Sequence, residues 1–157
     1  MKNLIVYYSY GGNTEQIAKI IQSQIGGDLC PIHTVNPYTG NYDEVVDQGQ
    51  REVNKGYKPE ITYPVTDFSS YDNIIIGSPV WWYTIAPAVS SFIAKNDFSG
   101  KRIYPYITNA GWRGHALKDL SAGCKGAQVM DGLNVEFSDH SLRTPECKII
   151  DWTHSIS

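Results

Sequence analysis

A glycine-rich turn joins a short apolar run to an amphipathic helical stretch near the start of the chain. Leu4-Ile5-Val6-Tyr7-Tyr8 is continuously apolar and aromatic, as in a strand buried on both faces rather than an alternating edge strand. The polar turn Ser9-Tyr10-Gly11-Gly12-Asn13-Thr14 follows. Ile17, Ile20, Ile21 and Ile25 then recur at i, i+3, i+4 and i+8, on one face of a helix. Gly26-Gly27 stops that helix, and Asp28 to Thr34 reads as a second strand. Strand, turn, helix and strand within roughly thirty-five residues make one βαβ unit.

The rest of the chain continues the alternation. From Val35 to Tyr63 it is polar, with Val45, Val46 and Val53 as the sparse inner face of a helix over about 41–55. Tyr71 to Gly77 holds Ile74-Ile75-Ile76, a third buried strand. A loop, 78–84, leads to a helix carrying Ile85, Val89, Phe92 and Ile93. Arg102 to Ile107 is a fourth strand whose Pro105 argues against complete pairing. A second glycine-containing loop spans Thr108 to Gly114, before a short helix with Leu117 and Leu120. A weak strand falls within Ala127 to Val135. Thr144-Pro145-Glu146 supplies an N-cap, a proline at the first helical position and an acid in the first turn of a last helix, with Ile149, Trp152 and Ile156 as its face. Strands alternating with helices predict an α/β fold, a parallel sheet covered on both sides. With 157 residues and no linker or repeat, the chain reads as one domain over 1–157.

Composition removes several function classes. Net charge is −3 with no basic run, which disfavours nucleic acid as a partner. The three cysteines, Cys30, Cys124 and Cys147, are widely spaced; they predict neither a disulfide frame nor a metal site. The first apolar run is too short for a signal core or a membrane span, so the expectation is a cytoplasmic protein with no membrane partner. The compositional oddity is aromatic: 12% of residues, with 11 Tyr and 4 Trp.

In open parallel sheets, ligands bind beyond the carboxyl ends of the strands, where the strand order reverses. That rule selects the loops after the first, third and fourth strands. The first, Ser9 to Thr14, runs straight into a helix, where exposed N–H groups and the helix dipole attract anions. It has no following Lys, so it is not a nucleoside triphosphate loop. Alternatively it is an ordinary βα turn capped by Asn13. The second, Pro79-Val80-Trp81-Trp82-Tyr83, sets three aromatics in a row; they cannot all enter the core, and exposed Trp suits a flat, partly polar partner. One of the two tryptophans is expected to pack inward. The third, Thr108-Asn109-Ala110-Gly111-Trp112-Arg113-Gly114-His115, offers close backbone approach and another flat face, or else a flexible capping loop. Of the four histidines, His115 is placed beside the site. No spacing predicts a catalytic side chain. A phosphate cradle between flat aromatic walls suits a planar cofactor.

At these loops the sequence resembles the flavodoxins, and most closely a bacterial flavodoxin-like branch with a Pro-x-Trp-Trp signature. Ser9 to Thr14 is similar to the family's phosphate loop, Ser/Thr-x-x-Gly-Asn-Thr. Gly77 to Tyr83 resembles the first isoalloxazine loop, Asp97-Phe98-Ser99-Gly100-Lys101 the turn into the fourth strand, and Thr108 the start of the second isoalloxazine loop. Asn36-Pro37-Tyr38 and Tyr42 also fit this branch. The resemblance spans about Leu4 to Leu133. It implies a flavodoxin-like three-layer sandwich with a five-stranded parallel sheet of order 2-1-3-4-5, in a short-chain form, and noncovalent FMN. Ser9, Tyr10, Gly11, Gly12, Asn13 and Thr14 would hold the phosphate. Pro79, Val80, Trp81, Trp82 and Tyr83 would line one side of the ring, and Thr108, Asn109, Ala110, Gly111 and Trp112 the other. The branch usually has small Gly/Ser residues where this chain has Asn109 to Arg113, so Trp112 is expected to stack on or cover the ring, and Arg113 to set a positive charge near it. The implied function is that of a monomeric electron carrier between redox proteins, with an FMN-dependent NAD(P)H:quinone or nitroaromatic reductase as the alternative.

Overall fold

The computed structural model describes residues 2–156. In chain order the elements are β1 (Asn3–Tyr7), α1 (Asn13–Ile25), β2 (Asp28–Pro31), β3 (His33–Thr34), α2 (Tyr42–Lys55), β4 (Ile61–Thr62), β5 (Asn73–Trp81), β6 (Thr84–Ile85), α3 (Pro87–Lys95), β7 (Arg102–Asn109), α4 (Ala116–Gly123), β8 (Gln128–Val129), β9 (Leu133–Ser138), β10 (Ser141–Leu142) and α5 (Glu146–Thr153).

The apolar runs end up where continuous apolar runs must, in the middle of a parallel sheet. β2, β1, β5, β7 and β9 lie side by side and parallel, which is the order 2-1-3-4-5 when these five are counted alone. Three short strands bring the sheet to eight: β6 folds back antiparallel on β5, β8 runs beside the first half of β7, and β10 closes the edge antiparallel to β9. Alternate residues of each strand feed two cores. Leu4, Val6, Ile74, Ile76, Ile103 and Ile107 face α2, α3 and α4. Ile5, Tyr7, Ile75, Tyr104, Tyr106, Val135 and Phe137 face α1 and α5, through Ile17, Ile21 and Ile149. Burying a large aliphatic side chain contributes about 1.5–3 kcal/mol, so these two layers carry most of the stabilisation.

The details depart from the sequence reading in physically sensible ways. The stretch 28–34 is two strands rather than one: it leaves the main sheet at Ile32, and β3 pairs antiparallel with β4, across α2 in sequence, in a separate two-stranded sheet. The third strand does not stop at Gly77 but runs on to Trp81, so Pro79, Val80 and Trp81 are strand residues. Ile85 belongs to β6 and not to the helix that follows. Pro105 does sit in a central strand, at the changeover of β7's partners: β8 pairs with Arg102 and Ile103, β9 begins at Tyr106, and the missing N–H falls between them. Thr144 does not cap α5. Its hydroxyl accepts the Glu136 N–H at 2.8 Å, and Pro145 occupies the cap position.

Candidate functional site

The carboxyl ends of β1, β5, β7 and β9 converge on one edge of the sheet, and the three loops singled out by sequence stand there together. The first is shaped by two glycines. Gly11 and Gly12 have φ of 90° and 100°, the left-handed region that side chains disfavour. Gly12, not Asn13, is the cap residue of α1, and it contributes no side-chain cap. Ser9 does that work from a distance: its hydroxyl oxygen accepts the Glu15 N–H at 3.1 Å. Its own proton stays available as a donor.

The loop is anchored from the sheet below. Thr14 is buried, and its hydroxyl pairs with that of Thr108 at 2.8 Å. Tyr106 donates to the Thr14 carbonyl at 3.1 Å. Gly77 makes this reach possible, because a Cβ there would lie 2.0 Å from the Tyr106 Cζ. The phenol therefore crosses β5 over a residue with no side chain. Burial holds the Tyr106 hydroxyl protonated, well above its ordinary pKa, and so always able to donate. Thr108 is thus a buried anchor inside β7, whereas sequence reading assigned it to the open loop. Neither Gly77 nor Tyr106 carried a sequence signal for this role, since their meeting depends on the register of β5 with β7.

Asn13 is held by the turn between β9 and β10. Its amide donates to the Asp139 carbonyl at 2.7 Å, and its carbonyl oxygen lies 3.1 Å from the His140 Nδ1. Sequence placed only His115 by the site; His140 reaches the first loop from 127 residues away.

The second loop is a two-residue hairpin. Trp81 pairs with Thr84, and Trp82 and Tyr83 between them have φ of 51° and 70°. Such hairpins require positive φ at both central positions and normally use Asn or Gly there. Trp81 turns inward, edge-on to Tyr38, Tyr8 and Tyr10 at 5.0, 5.9 and 6.0 Å. Its ring covers Gly49 of α2, where a Cβ would come within 3.3 Å. Trp82 stays exposed, with its indole N–H donating to the Val46 carbonyl at 3.1 Å. One tryptophan in and one out is what the sequence implied. Burial, with Tyr10 and Glu52 adding repulsion, raises the pKa of Tyr8; burial and the bond to Glu52 do the same for Tyr38. Tyr8 and Tyr38 therefore keep their phenol protons.

The third loop meets the second at its base. His115 N–H donates to the Tyr83 carbonyl at 2.8 Å, and Gly114 is required there, since a Cβ would strike that carbonyl at 2.3 Å. Asp119 completes a clasp by accepting from Thr84 at 2.5 Å and pairing with His115. Asn109 is the last residue of β7 and folds its side chain back onto the Gly111 N–H at 2.9 Å. Ala110, Gly111, Trp112 and Arg113 are exposed, Trp112 by 73%. A cavity of about 310 Å³ lies on the α2 side of the hairpin, lined by Tyr10, Tyr42, Val45, Val46, Trp81 and Trp82 among others. The third loop takes no part in it. The edge as a whole can hold an oxyanion at α1 and present aromatic faces beside it.

The family model described as Flavodoxin matches residues 2–152. Flavodoxin 1 of Escherichia coli K12 is 28% identical over 103 residues, 63% of this chain but 44% of that protein, so the chain spans less than half the length of the curated relatives it matches. A solved structure from Bacteroides eggerthii, described as a flavoprotein, superposes with a TM-score of 0.82 at 26% identity, covering 99% of this chain and 97% of that one. A flavoprotein from Lactobacillus acidophilus, solved in complex with FMN, superposes with a TM-score of 0.72 at 26% identity over 85% of this chain and 91% of its own.

Proposed function

Because the chain belongs to the flavodoxin family, we propose that it is a single FMN-binding domain, monomeric, that carries electrons between redox proteins. FMN needs a phosphate cradle and flat surfaces for its ring, and the residues present suit both. The cradle has the open N–H groups that begin any helix, two left-handed glycines, the Ser9 hydroxyl and the α1 dipole. Tyr10, Trp82, Tyr83 and Trp112 stand exposed on the loops around it. Bound FMN would supply the redox chemistry; the protein's residues would bind and orient it.

The observation that carries this reading is the anchoring of the glycine turn. Thr14, Thr108 and Tyr106 fix the first turn of α1 to the centre of the sheet, so the N–H groups are already aimed before a ligand arrives. Aromatic side chains left in water beside that cradle suit an exposed ring edge and a protein partner.

A second reading is favoured by the cavity beside Trp81 and Trp82: a reductase taking hydride from NAD(P)H and passing electrons to a quinone or nitroaromatic. Anaerobic mixing of the FMN-loaded protein with excess NADPH or NADH separates the two. The carrier reading expects slow bleaching of the flavin absorbance unless a reductase protein is added. Rapid bleaching by the nucleotide alone would overturn it in favour of the reductase.

A further inference from the structure

We infer that His140 is a proton-dependent ligand of the phosphate bound at Ser9 to Thr14, so that binding a phosphorylated flavin takes up a proton that the unphosphorylated flavin does not. The inference rests on the reading of this edge as an FMN site and adds a residue from the opposite end of the chain.

The argument is one of hydrogen-bond polarity. Asn13 donates its amide to the Asp139 carbonyl at 2.7 Å. A carbonyl can only accept, so the amide nitrogen faces Asp139 and Oδ1 faces His140. Asn13 Oδ1 lies 3.1 Å from His140 Nδ1, and an amide oxygen likewise can only accept. The proton of the neutral imidazole is therefore fixed on Nδ1, and Nε2 carries a lone pair. The atom between the two nitrogens, Cε1, lies 3.7 Å from where a Cβ on Gly11 would be, so the ring stands beside the glycine turn. Nε2, bonded to that Cε1, carries a lone pair in this tautomer, the wrong polarity for a phosphate oxygen. Protonation turns it into a charged N–H donor and leaves the Asn13 bond intact. An anion at the loop selects that form, because charge-assisted hydrogen bonds are the strong ones.

The surroundings permit this switch. His140 is exposed, in the two-residue turn between β9 and β10. The charged groups on the elements packed with it are Asp139 in its own turn, Glu136 and Arg143 farther along its hairpin, and Glu15 with Lys19 on α1, paired at 3.2 Å. The titratable side chain of the glycine loop is Tyr10, which packs toward Trp81 and Tyr38. Among the described residues none of these groups is hydrogen-bonded or ion-paired to the His140 ring, whose partner is Asn13.

The test compares FMN and riboflavin affinities of the wild-type protein and His140→Gln between pH 5.5 and 8. The phosphate itself titrates near pH 6, which weakens FMN in both proteins as pH falls; their ratio removes that term. The expected ratio of FMN affinities, wild type over variant, rises about tenfold from pH 8 to pH 5.5, one pKa unit of coupling, while the riboflavin ratio stays flat. Proton NMR of the His140 ring in the wild-type protein supplies the same answer without a mutation: its pKa should rise on adding FMN and stay put on adding riboflavin. FMN ratios that do not change with pH, or an equal shift with both flavins, would overturn the role of His140 while leaving the FMN site standing. Failure of FMN to bind at any pH would overturn both.

Discussion

The two ends of the candidate site use left-handed backbone in opposite ways. At the start of α1 it falls on Gly11 and Gly12, residues that adopt it freely. At the β5–β6 hairpin it falls on Trp82 and Tyr83, residues for which it is strained. The glycine turn is anchored as well, by Ser9, by Thr14 with Thr108 and Tyr106, and by Asn13 with Asp139 and His140, but its anchors work with its backbone preference. The hairpin is clamped from three sides: Trp82 to Val46, Tyr83 to His115, and Thr84 to Asp119. Strain of this kind persists where its surroundings over-determine the conformation, and it clusters at ligand sites. The glycine-turn end thus combines residue preference with contacts, and the hairpin end is held against preference by contacts.

That contrast can be broken at several points. The largest effect is expected from Gly77→Ala. Its methyl group would meet the Tyr106 ring at 2.0 Å, and overpacking of this severity costs about 3 kcal/mol or more. Chemical denaturation should show it, together with weaker FMN binding as Tyr106 loses Thr14. An effect below about 1 kcal/mol would mean the phenol has another place to go. Ser9→Ala removes the side-chain acceptor for an N–H in the first turn of α1, and loss of such a cap costs about 1 kcal/mol. Tyr83→Gly should act in the reverse sense. It removes a left-handed penalty of roughly 1 kcal/mol, raising Tm, partly offset by the greater backbone freedom of glycine, while flavin affinity falls with the lost ring. A lower Tm would show that the Tyr83 side chain does more packing than its 55% exposure suggests. Smallest in stability is Trp112→Ala, expected within about 0.5 kcal/mol because the side chain is a surface one. Flavin titration of the same variant reports whether that indole covers the ring.

What the sequence made visible follows the same division. The glycine turn, α1 and the buried strands were legible because each is specified locally, by periodicity and by residues suited to their backbone. The hairpin was not: nothing in Trp81-Trp82-Tyr83-Thr84 announces a two-residue turn, and the stretch reads as a loop until β6 is seen pairing with β5. Ile85 fits a helical face by spacing yet serves a strand. Thr108 looks like the opening of a loop and is a buried anchor. Gly77 with Tyr106, and Asn13 with His140, are meetings made by sheet order. They lie 29 and 127 positions apart, beyond what any local pattern encodes.

A paired equilibrium titration of the apo protein with FMN and riboflavin, followed by flavin fluorescence at neutral pH, puts the phosphate end to its most direct trial. Charge-assisted hydrogen bonds to the phosphate contribute roughly 1.5–3 kcal/mol each. Several of them at Ser9 to Thr14 predict FMN tighter than riboflavin by at least about a hundredfold. Equal affinity for the two flavins would contradict the assignment of that loop.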